Sequence, residues 1–311
     1  MTELWVEKYR PKAMADYVWR DAQQRHQVEK WLKEGALPHL LLSGSAGVGK
    51  TSLAEMMLKT LNVQAGDILK INASRERKVD DVIPKILNFC TTWALGDMKY
   101  VLLDEVDQFT PHSQRALRGE MESYHDSVRF ILTCNYPNKI IPALHSRCQG
   151  FHIEALDINE FTNRLADILI SENIQLATEE DVLTLNTYVE RAYPDLRKCI
   201  NLLQQNCNDG ILRNPTVQEV VGKDYLYEMV NLFKAGQYTA ARKLVVSAAS
   251  FDEYDGIYRF MYENLDAWGE TEAQQNEALL HIRDGLVNHT LVADVEINMA
   301  ATLCKLAQVR G

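Results

Sequence analysis

No two of the six cysteines (Cys90, Cys134, Cys148, Cys199, Cys207 and Cys304) stand at C-x-x-C spacing, so the pattern supports neither a dithiol redox pair nor a structural metal site. The first ten residues lack the apolar segment of a secretory signal. The expectation is a cytoplasmic protein with reduced thiols. No stretch approaches the roughly 18 consecutive apolar residues that a membrane-spanning helix needs. Cation excess is also missing. Lys and Arg number 33 against 43 Asp and Glu, a net charge of −10, which argues against indiscriminate coating of nucleic acid. Residues 216–311 carry −6 of this and residues 1–215 carry −4, so any nucleic-acid contact must come from a local basic cluster. Internal repeats and low-complexity tracts are absent as well. What is left is an ordinary globular composition, 46% hydrophobic and 24% charged, in 311 residues. That length holds about two domains.

Against this plain background one motif stands out. Residues 44–51 read Gly-Ser-Ala-Gly-Val-Gly-Lys-Thr, a complete G-x-x-x-x-G-K-[ST] loop. It follows the apolar run Leu40-Leu41-Leu42 and precedes a helical pattern with Leu53, Met56, Met57 and Leu61 on its apolar positions. Strand, glycine loop and helix together make a phosphate site. Backbone N–H groups freed by Gly47 and Gly49 converge on phosphate oxygens, and the helix N-terminus adds positive potential. Lys50 would reach the β- and γ-phosphates and Thr51 would hold Mg²⁺. The chain is therefore expected to bind a nucleoside triphosphate.

Short apolar runs at 39–43, 68–72, 99–104, 128–133 and 150–153 read as strands, with helical patterns near 50–61, 79–92, 111–124 and 142–148 between them. Such alternation predicts an α/β domain with a parallel sheet. Strand signals vanish from 157 onward. Helices are expected near 157–172, 178–190 and 194–207, with Pro194 in a first turn. The turn residues Asn208-Asp209-Gly210 and Asn214-Pro215 mark a boundary. A last helical block runs from about 224 to 309, broken at Gly236, Asp252, Trp268-Gly269 and Asn288.

The run from Tyr100 ends in Asp104-Glu105, two acids at the C-terminal edge of a buried strand, where ligands sit in open α/β sheets. Asp104 would order the Mg²⁺ shell and Glu105 would polarise an attacking water as general base. Strand 128–133 leads to Asn135, which either orients water against the γ-phosphate or simply begins the turn Asn-Tyr-Pro-Asn. Arg147, inside Ser146-Arg147-Cys148, reads on residue type alone as a surface cation. Arg75, Arg77 and Lys78 follow the second strand and are either a solvated run or phosphate contacts.

These pieces occur in one order, together with the Trp5–Pro11 segment Trp-Val-Glu-Lys-Tyr-Arg-Pro and with Pro194-Asp195-Leu196-Arg197-Lys198. The set resembles the AAA+ ATPase subunits of sliding-clamp loaders of the replication factor C small-subunit type. Length and the helical C-terminal block also resemble the large clamp-loader subunit of T-even-type bacteriophages. The resemblance is specific through residue 200 and architectural beyond it. It implies an AAA+ P-loop domain over 1–155, a helical lid over 156–215 and a helical collar over 216–311. It also implies ATP and Mg²⁺ as cofactors. Val6, Glu7, Lys8 and Tyr9 would lie along the adenine, Val18 would line the base pocket, and Gly47, Val48, Gly49, Lys50, Thr51 and Ser52 would hold the phosphates. Asn135 and Arg197 would be the two nucleotide sensors. Arg147 would act in trans as an arginine finger on a neighbouring subunit's ATP. The basic residues Arg75, Arg77 and Lys78 would face DNA.

Two features depart from the pattern. The phosphate loop lacks the prolines and Thr that family members often carry, though every required Gly, Lys and Thr is kept. The helix at 111–124 carries Gln114, Arg115 and Arg118. Gln114 and Arg118 share a face, which is either solvated or transmits nucleotide occupancy between subunits. The implied activity is DNA- and clamp-stimulated ATP hydrolysis, within a hetero-oligomeric ring or spiral expected to hold five subunits. The implied partners are the other loader subunits, the sliding clamp and primer–template DNA. The rival readings are another AAA+ DNA motor, such as a branch-migration ATPase, and a scaffold subunit that binds ATP only for assembly. A motor needs insertions that this compact domain lacks, and a pure scaffold would be expected to lack Lys50 or Glu105.

Overall fold

The structure, a computed structural model, describes residues 3–76, 79–153, 156–176, 178–208, 210–213, 224–249, 254–289 and 291–310. It divides into two compact units, Met1–Asn214 and Pro215–Gly311.

The first unit is built on a parallel sheet in the order β2-β3-β4-β1-β5. Its strands are β1 (Leu40–Gly44), β2 (Ile68–Asn72), β3 (Lys99–Asp104), β4 (Val128–Cys134) and β5 (Gln149–Ile153). β1 lies between β4 and β5, and all five of its residues are buried. Alternation along it divides the core. Leu40 and Leu42 join one apolar cluster, with Ile131, Phe151 and Ile153, while Leu41 joins the other, with Val101, Leu103, Phe130 and Leu132. A strand buried on both faces has no polar face to show, which is why β1, β3 and β4 read as near-continuous apolar runs, whereas the edge strands β2 and β5 are only partly buried. Helices α1 (Trp5–Lys8), α2 (Ala22–Glu34), α3 (Lys50–Thr60), α4 (Val79–Thr91), α5 (Pro111–Ser123) and α6 (Pro142–His145) accompany the sheet.

Three further helices complete this unit: α7 (Ile158–Ser171), α8 (Glu179–Ala192) and α9 (Leu196–Asn206). Each begins at a side-chain cap, from Asp157, Thr178 and Asp195 respectively. Asp195 accepts from the Lys198 N–H, so α9 starts after it and Pro194 precedes the helix instead of occupying its first turn. A small antiparallel ribbon, Cys207–Asn208 with Ile211–Leu212, follows where no strand was expected. The N-terminal segment is tied to these helices. The Trp5 N–H donates to Gln204 Oε1 (3.0 Å), the Tyr9 hydroxyl to Glu172 Oε1 (2.7 Å), and Arg164 donates to the Tyr9 carbonyl (3.2 Å).

The loop between α4 and β3 is pinned from below. The Asp67 carboxylate, only 1% exposed, accepts the Leu95 and Gly96 N–H groups, at 2.9 and 2.8 Å. Buried Lys99 donates to the carbonyls of Phe89 and Thr92, both at 2.6 Å. So held, the loop presents Trp93 (96% exposed) and Leu95 (67%) to solvent.

The second unit is helical: α10 (Asp224–Lys234), α11 (Tyr238–Ala248), α12 (Tyr254–Glu263), α13 (Glu272–His289) and α14 (Val295–Arg310). Its own apolar core centres on Trp268, Phe233, Met261 and Met299. α13 runs through Asn288, so that break falls after His289. Asp252 and the Asn214-Pro215 turn lie outside the described residues. Among the described residues no helix is long and apolar enough to cross a membrane.

Candidate active site

The loop after β1 takes the left-handed conformation at Gly47 (φ 76°) and Gly49 (φ 84°), and Gly49 is the N-cap of α3. An L side chain is strained at such angles, so the pattern's glycines are where the backbone needs them. Space is a second reason. A Cβ on Gly47 would lie 1.7 Å from Asp195 Oδ1, and one on Gly49 would lie 3.0 Å from the Tyr17 ring. The cap residue of α9 therefore sits directly against the phosphate loop.

Around this loop lies a cleft with two lobes. One, of about 410 Å³, is lined by Val6, Glu7, Tyr9, Arg10, Pro11, Tyr17, Val18, Gly47, Val48, Gly49, Thr51, Ser52, Asp104, Leu156, Leu196, Arg197 and Ile200. The other, of about 270 Å³, shares Arg10, Gly47, Gly49, Thr51, Ser52, Asp104 and Arg197, and adds Ala46, Lys50, Asn72, Glu105, Thr133 and Asn135. The first is largely apolar away from the loop and suits a base and sugar. The second is polar and suits phosphates. Lobes, loop and strand tips meet at the C-terminal edge of the sheet, beside the point where β1 parts β4 from β5.

Within the polar lobe the side chains are already engaged. The Lys50 ammonium donates to the carbonyls of Gly44 (2.9 Å) and Ser45 (2.7 Å) and to Asn135 Oδ1 (2.8 Å). Burial lowers its pKa, opposed by the carboxylates of Asp104 and Asp107. Burial likewise pushes the Cys134 thiol up to about 12, so it is no nucleophile at neutral pH. Thr51 Oγ1 and Thr133 Oγ1 both donate to Asp104 Oδ1, at 2.7 and 2.5 Å. Glu105 is held in the left-handed region (φ 59°, ψ 44°), uncommon for a residue with a side chain. Its N–H donates to Thr133 Oγ1 (3.0 Å) and its carbonyl accepts from Gln108 (2.8 Å). Strained backbone at the end of an acid-tipped strand is the kind found at working sites.

Several expected residues lie elsewhere. Lys8 does not line the cleft; its ammonium pairs with Glu172 at 2.6 Å. Arg147 lines neither lobe. It donates to the Ala143 carbonyl (3.0 Å) and pairs with Glu122, which also faces Arg118 at 3.8 Å. Gln114 is buried, donating to the carbonyls of Phe109 (3.3 Å) and Lys139 (3.0 Å) and accepting the Ile141 N–H (2.8 Å). Gln114 and Arg118 thus engage different partners, and the face they share is not a solvated one at Gln114. Arg75 is exposed on the turn after β2 and lines a recess with Asn72 and Lys70. Arg77 and Lys78 lie outside the described residues.

Sequence reasoning missed Arg10, Tyr17, Thr133 and Asp107. Arg10 lines both lobes while donating to Glu55 (2.9 Å), and it directly follows the four residues that were named. Asp107 accepts the Asn135 N–H at 3.2 Å. Its position two residues after Glu105 was a signal in plain sight.

Comparison with known proteins follows the same lines. Residues 40–154 match the ATPase family associated with various cellular activities (AAA). Over 277 residues the chain is 33% identical to the replication factor C small subunit of Methanococcus maripaludis, covering 86% of this chain and 81% of that protein. It is 35% identical to the corresponding subunit of Saccharolobus solfataricus, with 98% and 94% covered. Among solved structures, the RuvB Holliday junction branch migration motor of Thermotoga maritima superposes with a TM-score of 0.55 at 15% identity, over 72% of this chain and 79% of that one. At that identity the likeness is one of fold alone.

Proposed function

The chain belongs to the replication factor C small-subunit family of AAA ATPases, and from that premise we propose that it is an ATP-hydrolysing subunit of a DNA polymerase clamp loader. One observation carries the reading. The phosphate loop, the Asp104-Glu105 tip, Asn135 and Arg197 converge on one cleft, whereas Arg147, in the turn after α6, lies outside it and binds Ala143 of α6 and Glu122 of α5. A cation outside its own chain's site is available to a neighbour's.

In this account the larger lobe takes adenosine between the N-terminal segment and α9, and the smaller takes the phosphates. Lys50 exchanges its carbonyl partners for β- and γ-phosphate oxygens, which are stronger acceptors. A hydroxyl and a carboxylate, Thr51 and Asp104, are hard oxygen donors suited to Mg²⁺ held largely through water. That ion would neutralise phosphate charge. Glu105 takes a proton from the attacking water, and Asn135 fixes that water or the γ-phosphate. Arg197 reads nucleotide from the lid, and Arg147 meets the γ-phosphate of the adjacent subunit.

Residues 1–155, 156–215 and 216–311 then act as nucleotide domain, lid and oligomerising collar in a hetero-oligomeric spiral, taken to be pentameric. Arg75, with Arg77 and Lys78, is assigned to DNA phosphates. The clamp contact is assigned to the pinned loop bearing Trp93 and Leu95, because large apolar side chains held in solvent are what protein partners cover. ATP binding closes the spiral around clamp and DNA, and hydrolysis releases the loaded clamp. A bacteriophage origin belongs to the same proposal and rests on chain length and the helical C-terminal block alone. The test is ATP turnover with and without the cognate clamp and primed DNA. Stimulation requiring both is expected. Turnover indifferent to both would return the choice to another AAA+ motor.

A further inference from the structure

The turn that follows β3 is joined to the tip of β4 by side chains where the sheet itself stops. The last paired residues of these strands are Leu103 and Leu132. Beyond them Thr133 Oγ1 donates to Asp104 Oδ1 (2.5 Å) and accepts the Glu105 N–H (3.0 Å). Two residues further along each chain, Asp107 Oδ1 accepts the Asn135 N–H at 3.2 Å. Side chains thus extend the ladder, and its last rung fixes the residue whose amide oxygen faces Lys50.

Asp107 is an expensive residue for that rung. It is 6% exposed, and its Oδ2 is buried with no hydrogen-bond partner among the described residues. A buried carboxylate oxygen without a partner is disfavoured, and a neutral side chain would accept one N–H at lower cost. Its placement beside Lys50, with which it interacts electrostatically, is the compensation visible in the structure. We propose that Asp107 is a positioning residue for hydrolysis, locking the tip of β4 so that Asn135 and Glu105 keep a fixed separation across the γ-phosphate. This rests on the reading of Asn135 and Glu105 given above.

The experiment is a double-mutant cycle in the full-length chain, with ATP affinity, turnover and thermal midpoint measured for each variant. Asn135→Ala alone tests the site reading, and an unchanged kcat there would sink both that reading and this proposal. With Asn135→Ala impaired, Asp107→Ala should lower kcat by about tenfold to a hundredfold, the scale of a misplaced reacting group. ATP affinity should stay near the parent value. The double variant should turn over no more slowly than Asn135→Ala. Asp107→Asn keeps an acceptor for the same N–H and should retain most of the parent kcat. If the alanine chain is too unstable to assay, Asp107→Glu serves, since it keeps the charge but displaces the acceptor. Losses that multiply across the cycle, or an Asp107→Ala kcat equal to the parent's, would overturn the assignment while leaving the active site as described.

Discussion

Lys50 and Glu105 line the same polar lobe, yet the account gives them opposite phenotypes. Lys50→Ala removes the one mobile cation of the phosphate loop and should raise the ATP dissociation constant by about a hundredfold, the scale of losing a buried charge-assisted contact. Glu105→Gln should bind ATP as the parent does and stall before hydrolysis. Equilibrium binding and single-turnover assays on both chains decide this, and parent-like turnover by Glu105→Gln would remove it as the base. Gly47 adds a steric test. At φ 76°, with a Cβ destined for 1.7 Å from Asp195 Oδ1, Gly47→Ala should lose ATP affinity. Adding Asp195→Ala should restore part of it, since it removes the collision but not the backbone strain. Measured affinity that the second change leaves untouched would assign the whole effect to φ. Residues of this kind were legible because the phosphate loop is local: spacing alone places Gly47, Gly49, Lys50 and Thr51. Arg10 and Tyr17 reach the site through packing of a segment distant in sequence from the loop, and no spacing rule announces that, whereas Asp107 was within reach of one, two residues after Glu105.

The strands were readable as elements for a related reason. Burial on both faces leaves near-unbroken apolar runs at β1, β3 and β4, and all five strands fell within a residue of their expected ends. Helix α2 was missed because its apolar positions are sparse; Gln24, Val28 and Trp31 alone are buried along it. The Cys207–Leu212 ribbon was missed because two-residue strands carry no periodicity. What the pattern could not reveal at all is the loop between α4 and β3, whose form depends on Asp67, nearly thirty residues earlier. Asp67→Ala leaves the Leu95 and Gly96 N–H groups without their acceptor and should loosen the loop. It should weaken clamp binding nearly as much as Trp93→Ala, with ATP affinity unchanged in both. Clamp titrations monitored by fluorescence anisotropy make the comparison, and clamp affinity insensitive to Trp93→Ala would move the contact elsewhere.

At the scale of the whole molecule, two units with separate apolar cores should answer separately to core mutations. Trp268 is fully buried and donates from Nε1 to the Met261 carbonyl at 2.8 Å. Trp268→Ala should destabilise the second unit by about 3–5 kcal/mol and lower its calorimetric transition. ATP affinity of the first unit should survive, and a parallel loss of ATP binding would show that the units unfold as one. The larger claim is that an active site is completed only between subunits, and Arg147 is where it is exposed. Arg147→Ala should bind ATP normally yet lose most hydrolysis stimulated by clamp and DNA, by about a thousandfold where a finger is absent. The most direct measurement is the ATPase of Arg147→Ala and Glu105→Gln chains mixed within one assembly. Each is nearly inactive alone, and the account predicts recovered turnover where an intact finger faces an intact base. Mixtures no more active than their components, together with ATP affinity lost in isolated Arg147→Ala to the extent seen in Lys50→Ala, would place the arginine in its own chain's site and contradict the shared-site account.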